Sequence, residues 1–191
     1  MTLDPRTLAA LALIASLLSI PVALPAWAQH HPHGAAPASP YTGLQDRAIK
    51  ALSEQDVQNY LSGAGMGYAL AAELNGYPGP KHVLELKDHL GLSADQEARI
   101  QAAFDAMQTA AAAIGNRLVE QERLLDRLFA GGHADSASVA SLAGRIATLE
   151  GELRAVHLNA HVTTRSILTP EQTRRYNELR GYTGGNHQHQ H

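Results

Sequence analysis

Two long stretches of the chain place apolar residues at alternating steps of three and four, the spacing of one face of a helix. The first, polar only at Gln121, comprises Ile100, Phe104, Met107, Ala111, Ile114, Leu118, Gln121, Leu125 and Leu128. The second, polar only at Thr163, comprises Val139, Leu142, Ile146, Leu149, Leu153, Val156, Ala160, Thr163 and Ile167. Only a short glycine-containing break at Gly131 separates them. The pattern therefore predicts two antiparallel helices of roughly 30 to 35 residues each.

Shorter helices are predicted on the N-terminal side of this hairpin. Ser53 and Asp56 have the spacing of a capping box, and the helix they begin is interrupted by glycines from Gly63 to Gly67. Another short helix is predicted from about Lys81 to Leu90. Aromatic residues make up only 5 % of the chain and cysteine is absent, as suits close-packed helices held without disulfides. The expected fold class is all-α, a long antiparallel helical hairpin with shorter flanking helices.

A short pattern, Leu-Ser/Thr-x-x-Gln, occurs twice, once before the first long helix and once after the second. Its hydroxyl residue stands where a helix N-cap is needed, and its glutamine can reach back to the backbone N–H of that cap residue. The leucine before the cap occupies the hydrophobic-staple position, where it can fix the corner to the core. The residues of this structural motif are Leu92, Ser93, Gln96, Leu168, Thr169 and Gln172.

The N-terminal residues resemble a secretory signal peptide. An apolar run from Leu8 to Leu24 precedes an A-x-A cleavage pattern that ends at Ala28. Residues 1–28 are therefore predicted to be removed, which gives a periplasmic protein without a membrane span. Because the run is close to the length of a membrane helix, an uncleaved anchor is the alternative. The rest is predicted to comprise a disordered His/Pro-rich tail at 29–42, a helical domain at 43–181 and a disordered His-rich tail at 182–191.

Charge and motifs argue against two classes of function. The net charge of −3 with neutral histidine gives no reason to expect a nucleic-acid partner. The sequence has no Ser-His-Asp order, zincin motif or phosphate-binding loop. Glu73, Glu85 and Asp88 have spacings that suit solvated surface groups. An enzyme is therefore not expected.

Histidine supplies the candidate chemistry, because neutral imidazole binds Zn, Cu and Ni. Six of the eleven histidines lie in the predicted tails: His30, His31, His33, His187, His189 and His191. After cleavage, His31 would be the third residue, and with the terminal amine and backbone amides it would form a square-planar Cu(II) or Ni(II) site. His157 and His161 share one face of the second long helix, beside the seam. Glu150, Glu152 or a second chain would have to supply their remaining ligands.

The two corner motifs, which bracket a hairpin in a cysteine-free exported chain, resemble those of the LTxxQ family of periplasmic proteins. That family includes the Spy and CpxP chaperone-like proteins and zinc-resistance-associated and heavy-metal-sensor proteins. The first motif, with Ser93 in place of threonine, departs slightly from the pattern. The resemblance implies an all-α fold, often a curved antiparallel dimer, that holds unfolded proteins, binds metal or reports to a membrane sensor kinase.

These observations lead to one main hypothesis and two alternatives. The main hypothesis is a periplasmic heavy-metal-resistance protein that buffers or senses Zn, Cu or a similar ion and also acts as a holdase. The alternatives are a Spy/CpxP-like chaperone with incidental histidines and a membrane-anchored metal-sensor subunit. A hairpin with one seam leaves apolar surface uncovered, so a homodimer or larger oligomer is expected. The expected partners are unfolded periplasmic proteins or a sensor kinase.

Overall fold

The computed structural model describes residues 39–182, and within them the fold is all-α, as predicted. The helices are α1 (Glu54–Ser62), α2 (Leu70–Glu73), α3 (Pro80–Glu85), α4 (Lys87–Leu90), α5 (Ala94–Ala130), α6 (Ser136–Ile167) and α7 (Pro170–Leu179). None of these helices has the length and apolar character needed to cross a membrane. The predicted signal peptide and the six tail histidines lie outside the described residues.

Helices α5 and α6 form the long hairpin that the heptad pattern predicts. They contain 37 and 32 residues, which corresponds to lengths of ~55 and ~48 Å. The turn between them contains Gly132, whose φ of +68° favours glycine. Asp135 then caps α6, because its carboxylate accepts hydrogen bonds from the backbone N–H groups of Ala137 and Ser138 at 2.9 and 3.0 Å.

The buried face of α6 differs from the predicted seam in its second half. Val156 is only half-buried and Thr163 is exposed, whereas the next residues, His157 and Thr164, are buried. A strict alternation of three and four has a period of 3.5 residues, but a straight α-helix turns once in about 3.6, so the buried stripe drifts along the helix. Two successive steps of four, from Leu149 through Leu153 to His157, correct for this drift.

The short helices follow the predicted capping signals, with one difference. Ser53 and Asp56 form the capping box at the start of α1. The single helix predicted from Lys81 to Leu90 is divided into α3 and α4 at Leu86, whose φ and ψ are −104° and 11°. Leu86 is half-buried and packs against the apolar cluster at this end of the hairpin.

Both corner motifs form complete capping boxes. The hydroxyls of Ser93 and Thr169 accept hydrogen bonds from the backbone N–H groups of Gln96 and Gln172 at 3.2 and 3.1 Å. The side-chain oxygens of the two glutamines in turn accept hydrogen bonds from the N–H groups of the cap residues at 3.1 and 2.9 Å. Leu168 is buried and Leu92 packs against the same cluster. The predicted capping role of the motif is confirmed.

The two motifs also bind each other. Gln96 Nε2 donates to Gln172 Oε1 at 2.8 Å, and Gln172 Nε2 donates to Gln96 Oε1 at 3.0 Å. We call this pair the glutamine clasp. The motifs meet because antiparallel packing brings the start of α5 beside the end of α6. Gln96 Nε2 additionally donates to the carbonyl of Ile167, the last residue of α6, at 3.0 Å.

The apolar core of residues 39–182 lies in two clusters along the hairpin. The first, the middle cluster, consists of Ile49, Tyr60, Ala111, Leu118, Val119, Leu149 and Leu153. The second, the open-end cluster, consists of Val83, Leu90, Ile100, Ile167, Leu168 and Tyr176. The stretches of α5 and α6 between these clusters carry the residues that line the candidate site.

Candidate functional site

A groove of about 600 Å³ lies beside α5 and α6, between the levels of the two clusters. We call it the central groove. One side is formed by the segment that connects α1 to α3, and the other by side chains of the hairpin. Residues with chemical interest among its lining are Met66, Glu73, His82, Met107, His157 and His161.

The glycine-rich segment that follows α1 forms one wall of the groove. Gly63 caps α1 with a φ of +67°, and a Cβ added there would lie 2.6 Å from the backbone oxygen of Gln108 in α5. The absence of a side chain therefore allows this wall to approach α5 closely. Met66 also has a positive φ, 43°, which is unusual for a residue with a side chain.

His157 lies in the core, whereas the sequence predicted that it would lie beside the seam. Its side chain is nearly inaccessible to solvent, with 2 % of the residue exposed, and its ring stacks on that of Tyr68 at a centroid distance of 6.0 Å. Its Nε2 has no hydrogen-bond partner within residues 39–182. Burial lowers the pKa of His157 below the ordinary value for histidine, and the neighbouring His161 lowers this pKa further. His157 is therefore held in its neutral form.

His161 lies one turn further along α6 and lines the same groove. Its Nδ1 is 2.7 Å from the carbonyl oxygen of Tyr77. Since a carbonyl can only accept a hydrogen bond, this contact places a proton on Nδ1, and in the neutral ring the lone pair is then on Nε2. The ring packs tightly on Gly79, where an added Cβ would lie 2.9 Å from both Cε1 and Nε2. The orientation and tautomer of His161 are thus fixed by its surroundings.

Glu73 is the residue whose predicted environment differs most from the one in the structure. Its spacing suggested a solvated surface group, but only 7 % of it is exposed. Tyr176 and Tyr182 donate hydrogen bonds from Oη to its Oε1 at 2.5 and 3.1 Å. The backbone N–H of Gly79 donates to its Oε2 at 3.0 Å. A carboxylate in α2 is stabilised in the interior because it accepts hydrogen bonds from groups distant in sequence.

A guanidinium group and an imidazole lie near Glu73. Arg180 Nε lies 3.8 Å from Oε1, and His161 Nδ1 lies 3.6 Å from Oε2. Burial raises the pKa of Tyr176, and the hydrogen bond to Glu73 raises it further. Glu73 therefore connects α2, α6 and the segment after α7. Tyr182, the residue that follows the predicted helical domain at 43–181, also takes part in this network.

The donor atoms in the groove suit a transition metal but are too few to form a complete site. His157 and His161 present imidazoles, and the thioethers of Met66 and Met107 are soft donors. Within the described part of the chain, however, no cluster of three or more His, Asp, Glu or Cys side chains is placed to hold an ion. The carboxylates predicted as further ligands lie elsewhere. Glu152 pairs with Arg117 at 3.4 Å, and Glu150 lines a different pocket.

The fold and the groove define a class of helical-hairpin proteins with paired Leu-Ser/Thr-x-x-Gln corners. The model of the heavy-metal resistance family matches residues 61–175, more than half of the chain. The chain therefore belongs to the heavy-metal resistance family, the LTxxQ-type family of Spy/CpxP-like and zinc-resistance proteins. The matched region includes the groove histidines and both corners. Corresponding searches of curated proteins and of solved structures gave no match.

Proposed function

We propose that the protein binds a transition-metal ion, Zn, Cu or Ni, in the periplasm and contributes to heavy-metal resistance by buffering or sensing it. The observation that supports this proposal best is the pair of imidazoles in one groove, at His157 and His161. His157 Nε2 has no hydrogen-bond partner within residues 39–182. His161 contacts the Tyr77 carbonyl through Nδ1, so Nε2 is the nitrogen that it would offer to an ion. The heavy-metal resistance family supplies the biological setting. That the protein reports to a sensor kinase, or that it keeps its N-terminal segment as a membrane anchor, stays a prediction from the sequence.

The surroundings of each histidine suit it to bind a metal ion. Burial keeps His157 neutral, so its ring need not lose a proton before it donates to an ion. The Tyr77 carbonyl holds the Nδ1 proton of His161, an arrangement that commonly orients metal-binding histidines. Glu73, close to the same nitrogen, strengthens the donor character of the ring. The bound ion would contribute no catalytic step, since the proposed function is to hold it.

The groove histidines can be tested individually. His157→Ala and His161→Ala are each expected to lower the affinity of the groove for Zn(II) by at least about tenfold, because a metal ligand is lost. Competition of the mature, untagged protein with a chromogenic chelator measures this change, and circular dichroism checks that helicity is kept. Exposed His89→Ala and His133→Ala are the matched controls. Unchanged Zn(II) affinity in both groove variants would exclude the groove as a metal site.

A second function, as a holdase for unfolded periplasmic proteins, is supported by exposed apolar side chains beside the groove. Leu70 and Leu74 are 57 % and 60 % exposed, and Tyr77 is 43 % exposed. Soluble proteins rarely concentrate large apolar residues on the surface of one short segment unless it contacts a partner. We call Leu70, Leu74 and Tyr77 the apolar rim.

The double variant Leu70→Ser and Leu74→Ser is expected to suppress aggregation of an unrelated unfolded client at least about twofold less well, because exposed apolar area drives such contacts. Light scattering during client aggregation measures the effect. Phe129→Ser, which changes an equally exposed residue near the end of α5, is the control. Equal protection by the rim variant and the wild type would show that the rim is not the client surface. Loss of metal binding without loss of protection would separate the two functions.

A further inference from the structure

The central groove offers two kinds of metal donor, which come from three different elements. The glycine-rich wall contributes the thioether of Met66, α5 contributes that of Met107, and α6 contributes the imidazoles of His157 and His161. Without the methionines the described chain has too few donors here for a complete site, but with them it has four. One of the four, His157 Nε2, is buried and has no hydrogen-bond partner within residues 39–182. Such an atom costs free energy unless a ligand occupies it.

Met66 has a backbone conformation that its side chain makes unfavourable. Its φ of 43° lies in the left-handed region, where glycine is usual, and glycine occupies the positions on both sides of it. Residues with a side chain in such a conformation cluster at functional sites. Met66 is 37 % exposed, so it is not needed to fill the core. Its sulfur atom therefore explains its presence in the groove better than packing does.

Carboxylate donors are largely committed elsewhere. Among the described residues that line the groove, Glu73 is the only acidic one, and its oxygens already accept three hydrogen bonds. Its charge is offset by Arg180 at 3.8 Å, and Lys81 adds a cationic group to the lining. His82, the third histidine of the lining, pairs with Glu85 at the surface. An ion in this groove would therefore be held by uncharged donors.

The charge of the ion decides which metal such donors favour. The Born energy of removing an ion from water grows with the square of its charge, so a dication costs about four times as much as a monocation of the same size. Zn(II) sites usually include thiolates, carboxylates or a third histidine. Thioethers, by contrast, are soft ligands that favour Cu(I). A soft monovalent ion therefore fits the groove donors better than Zn(II).

We propose that the groove selects Cu(I), and that Met66 and Met107 bind this ion together with His157 and His161. The inference rests on the proposed metal binding by the groove, and it adds the identity of the ion and two further ligands. A methionine side chain has three rotatable bonds, so both sulfur atoms can adjust to an ion without movement of the helices. Zn(II) would be held by the imidazoles alone and therefore more weakly.

The selectivity can be measured with the double variant Met66→Leu and Met107→Leu, which keeps the apolar volume but removes both sulfur atoms. We expect its Cu(I) affinity to fall at least about tenfold, because two ligands are lost, and its Zn(II) affinity to stay unchanged. Competition with a chromogenic chelator for each ion measures both affinities, with ascorbate under nitrogen to keep copper reduced. Phe104→Leu, which changes an apolar lining residue without a donor atom, is the matched control.

The methionine methyl groups provide a direct spectroscopic test. The chain has no cysteine, and Met66 and Met107 are its only methionines besides Met1, which lies in the predicted signal peptide. In the mature protein with isotope-labelled methionine methyl groups, one equivalent of Cu(I) is expected to shift both nuclear magnetic resonance signals, whereas Zn(II) should shift neither. The double variant His157→Ala and His161→Ala should lose the Cu(I)-induced shifts.

The outcomes separate this inference from the proposed function. Unchanged Cu(I) affinity in the leucine variant, with Zn(II) affinity that still depends on His157 and His161, would overturn the inference and leave the proposed function intact. Equal losses of Cu(I) and Zn(II) affinity in the leucine variant would also overturn it, because the methionines would then act through the fold and not through sulfur. Metal affinities that no groove variant changes would overturn both.

Discussion

Gly115→Ala is expected to lower the free energy of unfolding by about 3 kcal/mol, although alanine in a helix is usually more favourable than glycine by about 1 kcal/mol. Gly115 is buried in α5 where α1 crosses it, and an added Cβ would lie 2.1 Å from the carbonyl oxygen of Tyr60. The contact is with backbone, so no rotamer change relieves it. Helix α1 would have to move away from α5, which would open the middle cluster around Tyr60 and Leu118.

Thermal unfolding checks this expectation. A loss of this size should lower Tm by about 10 °C in a domain of this length. Gly151→Ala on α6 is the matched control, because its Cβ would meet no atom within 4 Å. That variant should have an unchanged or slightly higher Tm, since only the helix preference of alanine acts. Equal Tm values for the two variants would mean that α1 does not pack closely against α5 at Gly115.

Glu73→Ala should destabilise the domain by about 4 kcal/mol, because it leaves buried donors without an acceptor. The hydroxyl of Tyr176, a fully buried residue, and the backbone N–H of Gly79 would both lose their partner. The contacts that join α2 to the segment after α7 would be lost with them. Urea denaturation measures the change, and exposed Glu171→Ala on α7 is the control that should have little effect.

A double-mutant cycle separates the buried hydrogen bond from general loss of packing. Tyr176→Phe removes the hydroxyl that Glu73→Ala would leave unpaired. Glu73→Ala should therefore lower the free energy of unfolding much less in the Tyr176→Phe background than in the wild type. The expected coupling is about 1–3 kcal/mol. Strictly additive effects would indicate that Tyr176 and Glu73 do not stabilise each other.

The parts of the fold that the sequence predicts well depend on neighbouring residues. The capping box is complete within four residues, so the pattern from Ser93 to Gln96 is enough to locate a helix start. The hairpin follows from long runs of apolar spacing and a short glycine turn. These signals act through local geometry, and the structure confirms both.

The site depends on contacts between residues that are far apart, which a single sequence does not reveal. Glu73 is buried because of Tyr176 and Tyr182, more than 100 positions away. Nothing in the small and apolar residues around it indicates those partners. The burial of His157 follows from the drift of the seam, which a strict heptad pattern conceals. The local signal for His157 and His161 was their spacing of four, and this did locate both residues in one groove.

The glutamine clasp also determines how the two long helices are aligned along their axes. The stretch of α5 between Ile100 and Leu118 is rich in alanine, and such small side chains form shallow ridges that resist sliding of one helix along another only weakly. A slip by one heptad would displace α5 by ~10 Å relative to α6. Gln96 and Gln172 could then no longer meet, and the two hydrogen bonds between their side chains would be lost. The register of the hairpin is therefore fixed at its open end as well as at its turn, so the groove histidines are held at a constant height opposite Phe104 and Met107.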